Sequence, residues 1–181
     1  CHPTDKLVGT FMFYTIKDDD KETTYPSGGD RICNRDFADY IQTQIVEDIR
    51  QTMMPTWQKR HLMQKSMSET RNPKVPSTII GLLSHRNYYD MTFGLDPKFK
   101  FIVSRAIYKG MLRFIHQTTG TPYVVQPLPV QQMNVTYANN DTLQIRWTER
   151  VDSIEPTATP SYYVLYTRTS QLKDGEWQTT D

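Results

Sequence analysis

Apolar side chains recur every fourth residue at Phe37, Ile41, Ile45 and Ile49, a spacing that lines one side of a helix. Asn34 precedes this stripe and is expected to cap the helix, which must end before Pro55. A second helix is expected to open on Asp96-Pro97, with Asp as cap and Pro at the first helical position. It runs through His116 and carries Phe99, Ile102, Val103, Ala106, Met111 and Ile115 broadly on one side. Strand patterns stand between and before these helices. Residues 7–16 are rich in β-branched and aromatic side chains, and residues 78–83 form a short apolar run behind Pro76, which blocks a preceding helix. Strand, helix, strand, helix is the order of an α/β domain.

The pattern changes after residues 120–129, where one Gly and three Pro separate the second helix from strand-like alternation. Downstream, residues 134–137, 142–148 and 161–169 are short strand candidates divided by polar turns, which predicts an all-β module. In Leu143-Gln144-Ile145-Arg146-Trp147 the alternation is expected to turn the Trp inward and the charge outward, and Tyr162, Val164 and Tyr166 make a second alternating row. About 50 residues supply roughly half of a sandwich that usually takes about 100, so exposed edges and an incomplete core are expected.

Composition alters this picture little. The chain has 181 residues, with 21 Lys and Arg against 20 Asp and Glu, for a net charge of +1. Acids and bases are interspersed, so there is no sustained basic surface for nucleic acid. The Asp18 to Asp20 run is expected to be a solvated loop. No apolar run is long enough to cross a bilayer, and the start at Cys1 without a leader suggests an excised segment. Cys1 and Cys33 are too few for a disulfide framework and are expected to be ordinary thiols, with one bridge open to an exported protein. Met53, Met54, Met63 and Met67 read as adaptable core filler. Phosphate-loop, dinucleotide and serine-nucleophile motifs are absent, and the two Asn-x-Thr acceptor patterns at Asn134 and Asn140 matter only in a eukaryotic secretory pathway.

Candidate chemistry concentrates after Leu83, where the strand delivers His85, Arg86 and Asn87 onto a loop. His85 would either touch substrate or hydrogen-bond the loop backbone. Tyr88, Tyr89 and Phe93 would either stack on a sugar ring or pack beneath the following helix.

Three segments carry a resemblance. They are C-H-P-T-D with G-T-F-M-F-Y-T, then K-S-M-S-E-T-R-N-P-K-V-P-S-T-I-I, and then L-L-S-H-R-N-Y-Y-D-M with G-L-D-P-K-F-K-F-I-V-S-R-A-I-Y-K-G-M-L-R-F. In this order they resemble the C-terminal part of a zinc-dependent N-acetylmuramoyl-L-alanine amidase domain of the Bacteroidetes-like subgroup, some of whose members carry a xanthan-lyase-like label. The segments P-L-P-V-Q-Q-M-N-V-T-Y, D-T-L-Q-I-R-W and Y-Y-V-L-Y-T-R resemble the first half of a fibronectin type III domain. The resemblance implies a partial amidase-like domain over 1–118, a linker over 119–129 and a partial fibronectin-like sandwich over 130–181. It also implies an exported protein, periplasmic, outer-surface or secreted, acting on peptidoglycan or another envelope glycan.

His2 stands where these amidases place their last zinc-binding histidine, so the resemblance implies Zn2+ with its other ligands before residue 1. Gly81 stands where the family carries a glutamate as general base. Without that carboxylate, hydrolysis is expected to be weakened, since positioned acid–base help contributes about 10²–10⁴-fold. Glu69, His85 and Asp90 are the nearest substitutes in sequence, with Glu69 first, although Glu69 would also make a surface ion pair with Arg71. His85 and Arg71 are the candidate substrate contacts. Two readings therefore stand: a hydrolase of the N-acetylmuramoyl-L-alanine amide, or a non-catalytic protein that binds cell wall or polysaccharide. In a third, the amidase likeness reports only ancestry of a polysaccharide-processing protein.

Overall fold

A computed structural model of the chain describes residues 9–139, 142–167 and 178–180, so His2 and Cys1 lie outside the described residues. The chain forms two compact units that divide between Tyr123 and Val124.

In the first unit, strands β1 (Thr10–Tyr14), β2 (Lys59–Gln64) and β3 (Ile79–Gly81) form one sheet in the order β2-β1-β3. β1 and β2 run parallel, joined through helix α1 (Cys33–Thr52), while β3 runs antiparallel to β1. Helices α2 (Ser68–Arg71), α3 (Tyr88–Leu95) and α4 (Pro97–Thr119) complete the unit. Helices and strands thus alternate, as expected of α/β architecture. β2 and α3 were not anticipated. β2 carries Lys59, Arg60, His61 and Gln64 around adjacent Leu62 and Met63, of which Leu62 packs against the core, so it shows no apolar alternation.

The core lies between the sheet and the paired helices α1 and α4. Met12 of β1, Ala38, Ile41, Ile45 and Ile49 of α1, Trp57, and Phe99, Ile102, Val103 and Ala106 of α4 make one buried cluster. The predicted stripe of α1 is therefore the packed one. Met111 and Ile115, placed on the same side of α4 by the sequence, are each 41% exposed. Trp57 fills the middle of the cluster, its ring centroid 5.8 Å from Phe93 and 5.6 Å from Phe99, and its indole N–H donates to Thr10 Oγ1 at 2.8 Å. Gly110 lets the two helices approach closely, because a Cβ there would come within 2.7 Å of the Ile41 Cα. Beside this contact Lys109 and Asp48 form a buried ion pair at 3.0 Å, and Gln44 Nε2 donates to the same Asp48 oxygen at 2.8 Å. Of the methionines read as filler, Met53 and Met54 pack against the core, while Met63 is 40% exposed.

The helix ends show where local rules hold. Asp96 caps α4 by accepting from Lys98 N at 2.8 Å, Pro97 takes the first position, and Gly120 closes the helix at φ 72°. α1 departs from expectation. Its N-cap position is Ile32, and Asn34 sits inside the first turn, fully buried. Asn34 Oδ1 accepts from Tyr25 O–H at 2.6 Å and from Ser77 N at 3.0 Å, and its amide nitrogen donates to Thr15 O at 2.7 Å. Three loops claim the side chain that would have capped the helix.

In the second unit, β4 (Gln131–Asn139) and β5 (Thr142–Thr148) pair antiparallel, as do β6 (Leu165–Thr167) and β7 (Gln178–Thr180). Val135 faces Ile145 and Tyr137 faces Leu143 across β4 and β5, so their apolar side chains share one face. That face is open, with Tyr137 78%, Leu143 55% and Trp147 37% exposed, so the Trp is not turned inward as its alternation suggested. Trp147 meets the ring of Tyr163 at 5.3 Å, the residue outside the expected Tyr162, Val164, Tyr166 row.

Candidate functional site

β3 and the loop after it make the candidate site. Gly81 lies directly across from Phe11 in the β1–β3 ladder. The Phe11 ring folds over the glycine so closely that a Cβ at position 81 would run into its Cε2 and Cζ atoms. Cross-strand pairing of an aromatic ring with glycine covers backbone that a side chain would otherwise shield. The ring is braced in turn by an edge contact with Phe13 at 5.5 Å, and Lys65 Nζ stands 5.5 Å from the centre of the Phe13 ring. Position 81 thus lacks a carboxylate and has no room for one while Phe11 keeps its place.

The loop beyond Gly81 is held from within. Ser84 N donates to Asp90 Oδ2 at 2.7 Å, Asn87 N to Ser84 O at 3.0 Å, and Tyr89 N to Asn87 Oδ1 at 3.0 Å. Ser84, Asn87 and Asp90 are all buried, so Asp90 is committed to holding this turn. His85 and Arg86 ride on the exposed tip.

Glu69 and Arg71 stand elsewhere. Because β2 is parallel to β1, the chain leaves β2 beside the C-terminal end of β1. There Lys65 N donates to Tyr14 O at 2.9 Å, and the hydroxyls of Thr15 and Thr70 meet at 2.5 Å. Because β3 is antiparallel, Gly81 and His85 lie toward the other end, beside Phe11. Four residues separate Phe11 from Thr15, about 13 Å along an extended strand. A general base acts over about 3 Å, directly or through one water.

Glu69 occupies the first turn of α2, not a strand approach, and is exposed. Hydrogen bonding to its own backbone N–H and then to Ser68 O–H hold its carboxyl below the ordinary glutamate range, which makes it a weaker proton acceptor. Arg71 forms its ion pair with Asp19, at 2.7 Å, and also donates to Ser66 Oγ at 3.1 Å. The acidic run is therefore more than a solvated loop. Asp19 holds Arg71, while Asp18 pairs with buried Arg31 at 3.5 Å and accepts from the backbone N–H groups of Asp20 and Glu22.

Among the described residues, no three or more His, Cys, Asp or Glu side chains come together as a metal site. Cys33 is a free thiol whose pKa is raised by burial and then by Asp30 and Asp36. An open groove of about 530 Å³ between α1 and α4 is lined by Asp36, Asp39, Tyr40 and Glu47 on one side and by Arg113 and Phe114 on the other. Lys59 reaches Asp39 at 2.9 Å and Thr43 at 2.7 Å.

Sequence reasoning identified the loop after Gly81 and missed Phe11, the residue that fills the space beside it. The available signal was the alternation of Phe11 and Phe13 with core-facing Met12, which assigns both rings to the opposite face of the sheet. No family model, curated protein or solved structure matches the chain. Among the described residues no helix is long and apolar enough to cross a membrane.

Proposed function

We propose that the first unit is an amidase-like domain that binds cell-envelope glycan, with peptidoglycan as its target, and no longer performs the hydrolytic step. The second, fibronectin-like unit acts as its spacer in an exported protein. The observation that carries this reading is the glycine at position 81 with the Phe11 ring folded over it. Hydrolysis of the N-acetylmuramoyl-L-alanine amide needs a base to take a proton from the attacking water, and a positioned base contributes about 10²–10⁴-fold. Glycine supplies none. Glu69 is at the other end of β1 and is held in its weakly basic form.

Zinc belongs to the amidase reading through His2, which lies outside the described residues, and a catalytic site takes about three protein ligands. Bound zinc would polarise the amide carbonyl and activate water. What this chain's own residues contribute is binding: the buried Ser84, Asn87 and Asp90 fix a loop that presents His85 and Arg86.

The test uses the full-length protein containing this chain. Retention on purified sacculi is measured beside release of stem peptide, for the natural protein, Gly81→Glu, and Gly81→Glu combined with Phe11→Ala. Retention without release by the natural protein is the expected result. Stem-peptide release by the natural protein would overturn the non-catalytic reading and leave the hydrolase, with Glu69→Gln as the next variant. Failure to bind sacculi at all would overturn both.

A further inference from the structure

We propose that Tyr88, Tyr89 and Arg86 form a contact surface for an acidic sugar. The sugar class rests on the envelope-glycan reading above; the surface itself rests on the geometry of α3. Three aromatic residues lie on this helix, Tyr88 and Tyr89 at its start and Phe93 near its end, and the structure divides their roles. Phe93 goes inward, with its ring 5.8 Å from Trp57 and 5.5 Å from Phe99. Tyr88 and Tyr89 stay out, 78% and 54% exposed, and Tyr88 is the most exposed large apolar side chain described in the first unit. Their rings meet edge to face, 6.0 Å apart at 75°, so they form a corner with two flat faces. An isolated exposed tyrosine needs no explanation, but a contiguous aromatic corner is the kind of patch that marks a contact site.

Charge narrows the ligand. Arg86 is exposed at the loop tip two residues before Tyr88, and among the described residues no carboxylate is paired with it. The nearest acid in sequence, Asp90, is fully buried and accepts from Ser84 N. The tip thus presents cation and aromatic faces with no acid to neutralise them. Arg matches a carboxylate with two parallel N–H donors, and the C–H-rich face of a pyranose matches an aromatic ring. The buried bonds of Ser84, Asn87 and Asp90 set the backbone beforehand, so little ordering is needed on binding. A sugar bearing a carboxylate, as muramic acid does once its stem peptide is gone, satisfies both halves of the surface. A neutral sugar leaves Arg86 unused.

The test titrates the full chain with the N-acetylglucosaminyl-N-acetylmuramic acid disaccharide and with its methyl ester, following backbone amide shifts and heats of binding. Expected are shifts at residues 85–92 and tighter binding of the acid than of the ester. Combined Tyr88→Ala and Tyr89→Ala should weaken both at least tenfold, and Tyr→Phe at both positions should preserve them. Arg86→Gln should bring the acid down to the affinity of the ester. Equal affinities for acid and ester in the natural protein would overturn the role of Arg86, and unchanged affinity in the alanine pair would overturn the surface. If the alanine pair still binds protease-treated sacculi as the natural protein does, this inference fails while the envelope-glycan reading stands. If the natural protein binds sacculi only before protease treatment, the partner is a protein and both fail.

Discussion

Replacing Gly81 with alanine isolates the contact on which the functional reading turns. The new methyl would run into the Phe11 ring, so either the ring leaves or the strands separate. Overpacking of this kind costs about 1–3 kcal/mol. Turning the ring away also forfeits its edge contact with Phe13, worth about 0.5–1.5 kcal/mol. Against these, alanine is better than glycine in a strand interior by about 0.5–1 kcal/mol. The clash wins, and Gly81→Ala should lower stability by about 1–3 kcal/mol. In a Phe11→Ala background only the backbone term remains, and the same substitution should be neutral or stabilising by about 0.5–1 kcal/mol. The coupling between the two positions is then about 1–4 kcal/mol. Urea unfolding followed by far-ultraviolet ellipticity reads the right unit, because the four described helices all belong to it. Equal effects of Gly81→Ala with and without Phe11 would refute the reasoning, and with it the account of why position 81 has no room for a carboxylate.

Three further outcomes follow from the packing and the charges. Gly110→Ala should destabilise the first unit despite the roughly 1 kcal/mol that alanine gains in a helix interior, because its Cβ meets the α1 backbone at Ile41, and backbone cannot swing aside; the unfolding midpoint should fall. Asp48→Ala should cost about 3–5 kcal/mol by leaving the buried Lys109 charge without this partner, and combining it with Lys109→Met should recover much of the loss in the same unfolding assay. Glu69 has its folded pKa depressed, so its contribution to stability is complete above the unfolded glutamate value and fades as pH falls through the lower folded value. Its carboxyl resonance should titrate below the ordinary glutamate range, and Glu69→Gln should flatten the acid limb of the stability profile slightly while leaving sacculus retention unchanged.

What the sequence made legible were features that depend on near neighbours. Ile41, Ile45 and Ile49 announced α1 by spacing alone, and Asp96-Pro97 announced the start of α4, because period and capping act within one or two turns. Asn34 looked like a cap by the same local logic. It was taken by Tyr25, Thr15 and Ser77, partners as far as 43 positions away that no local rule can see. Asp48 and Lys109 stand 61 positions apart and each interrupts a buried helix face. A charge on such a face is the one trace that a buried pair leaves in sequence. The candidate site divides in the same way. That His85 follows a strand end is local and was legible; that Glu69 belongs at the opposite end of β1 depends on β2 running parallel and β3 antiparallel, a choice made by tertiary pairing. Through the resemblance, Gly81 stood out as a position without the expected carboxylate, but the ring beside it did not. A missing base alone leaves room for a substitute group to reach the vacated place. A ring folded onto the glycine fills the place where a side chain would begin, and this is why Phe11, rather than Gly81 by itself, carries the proposed choice of binding over hydrolysis.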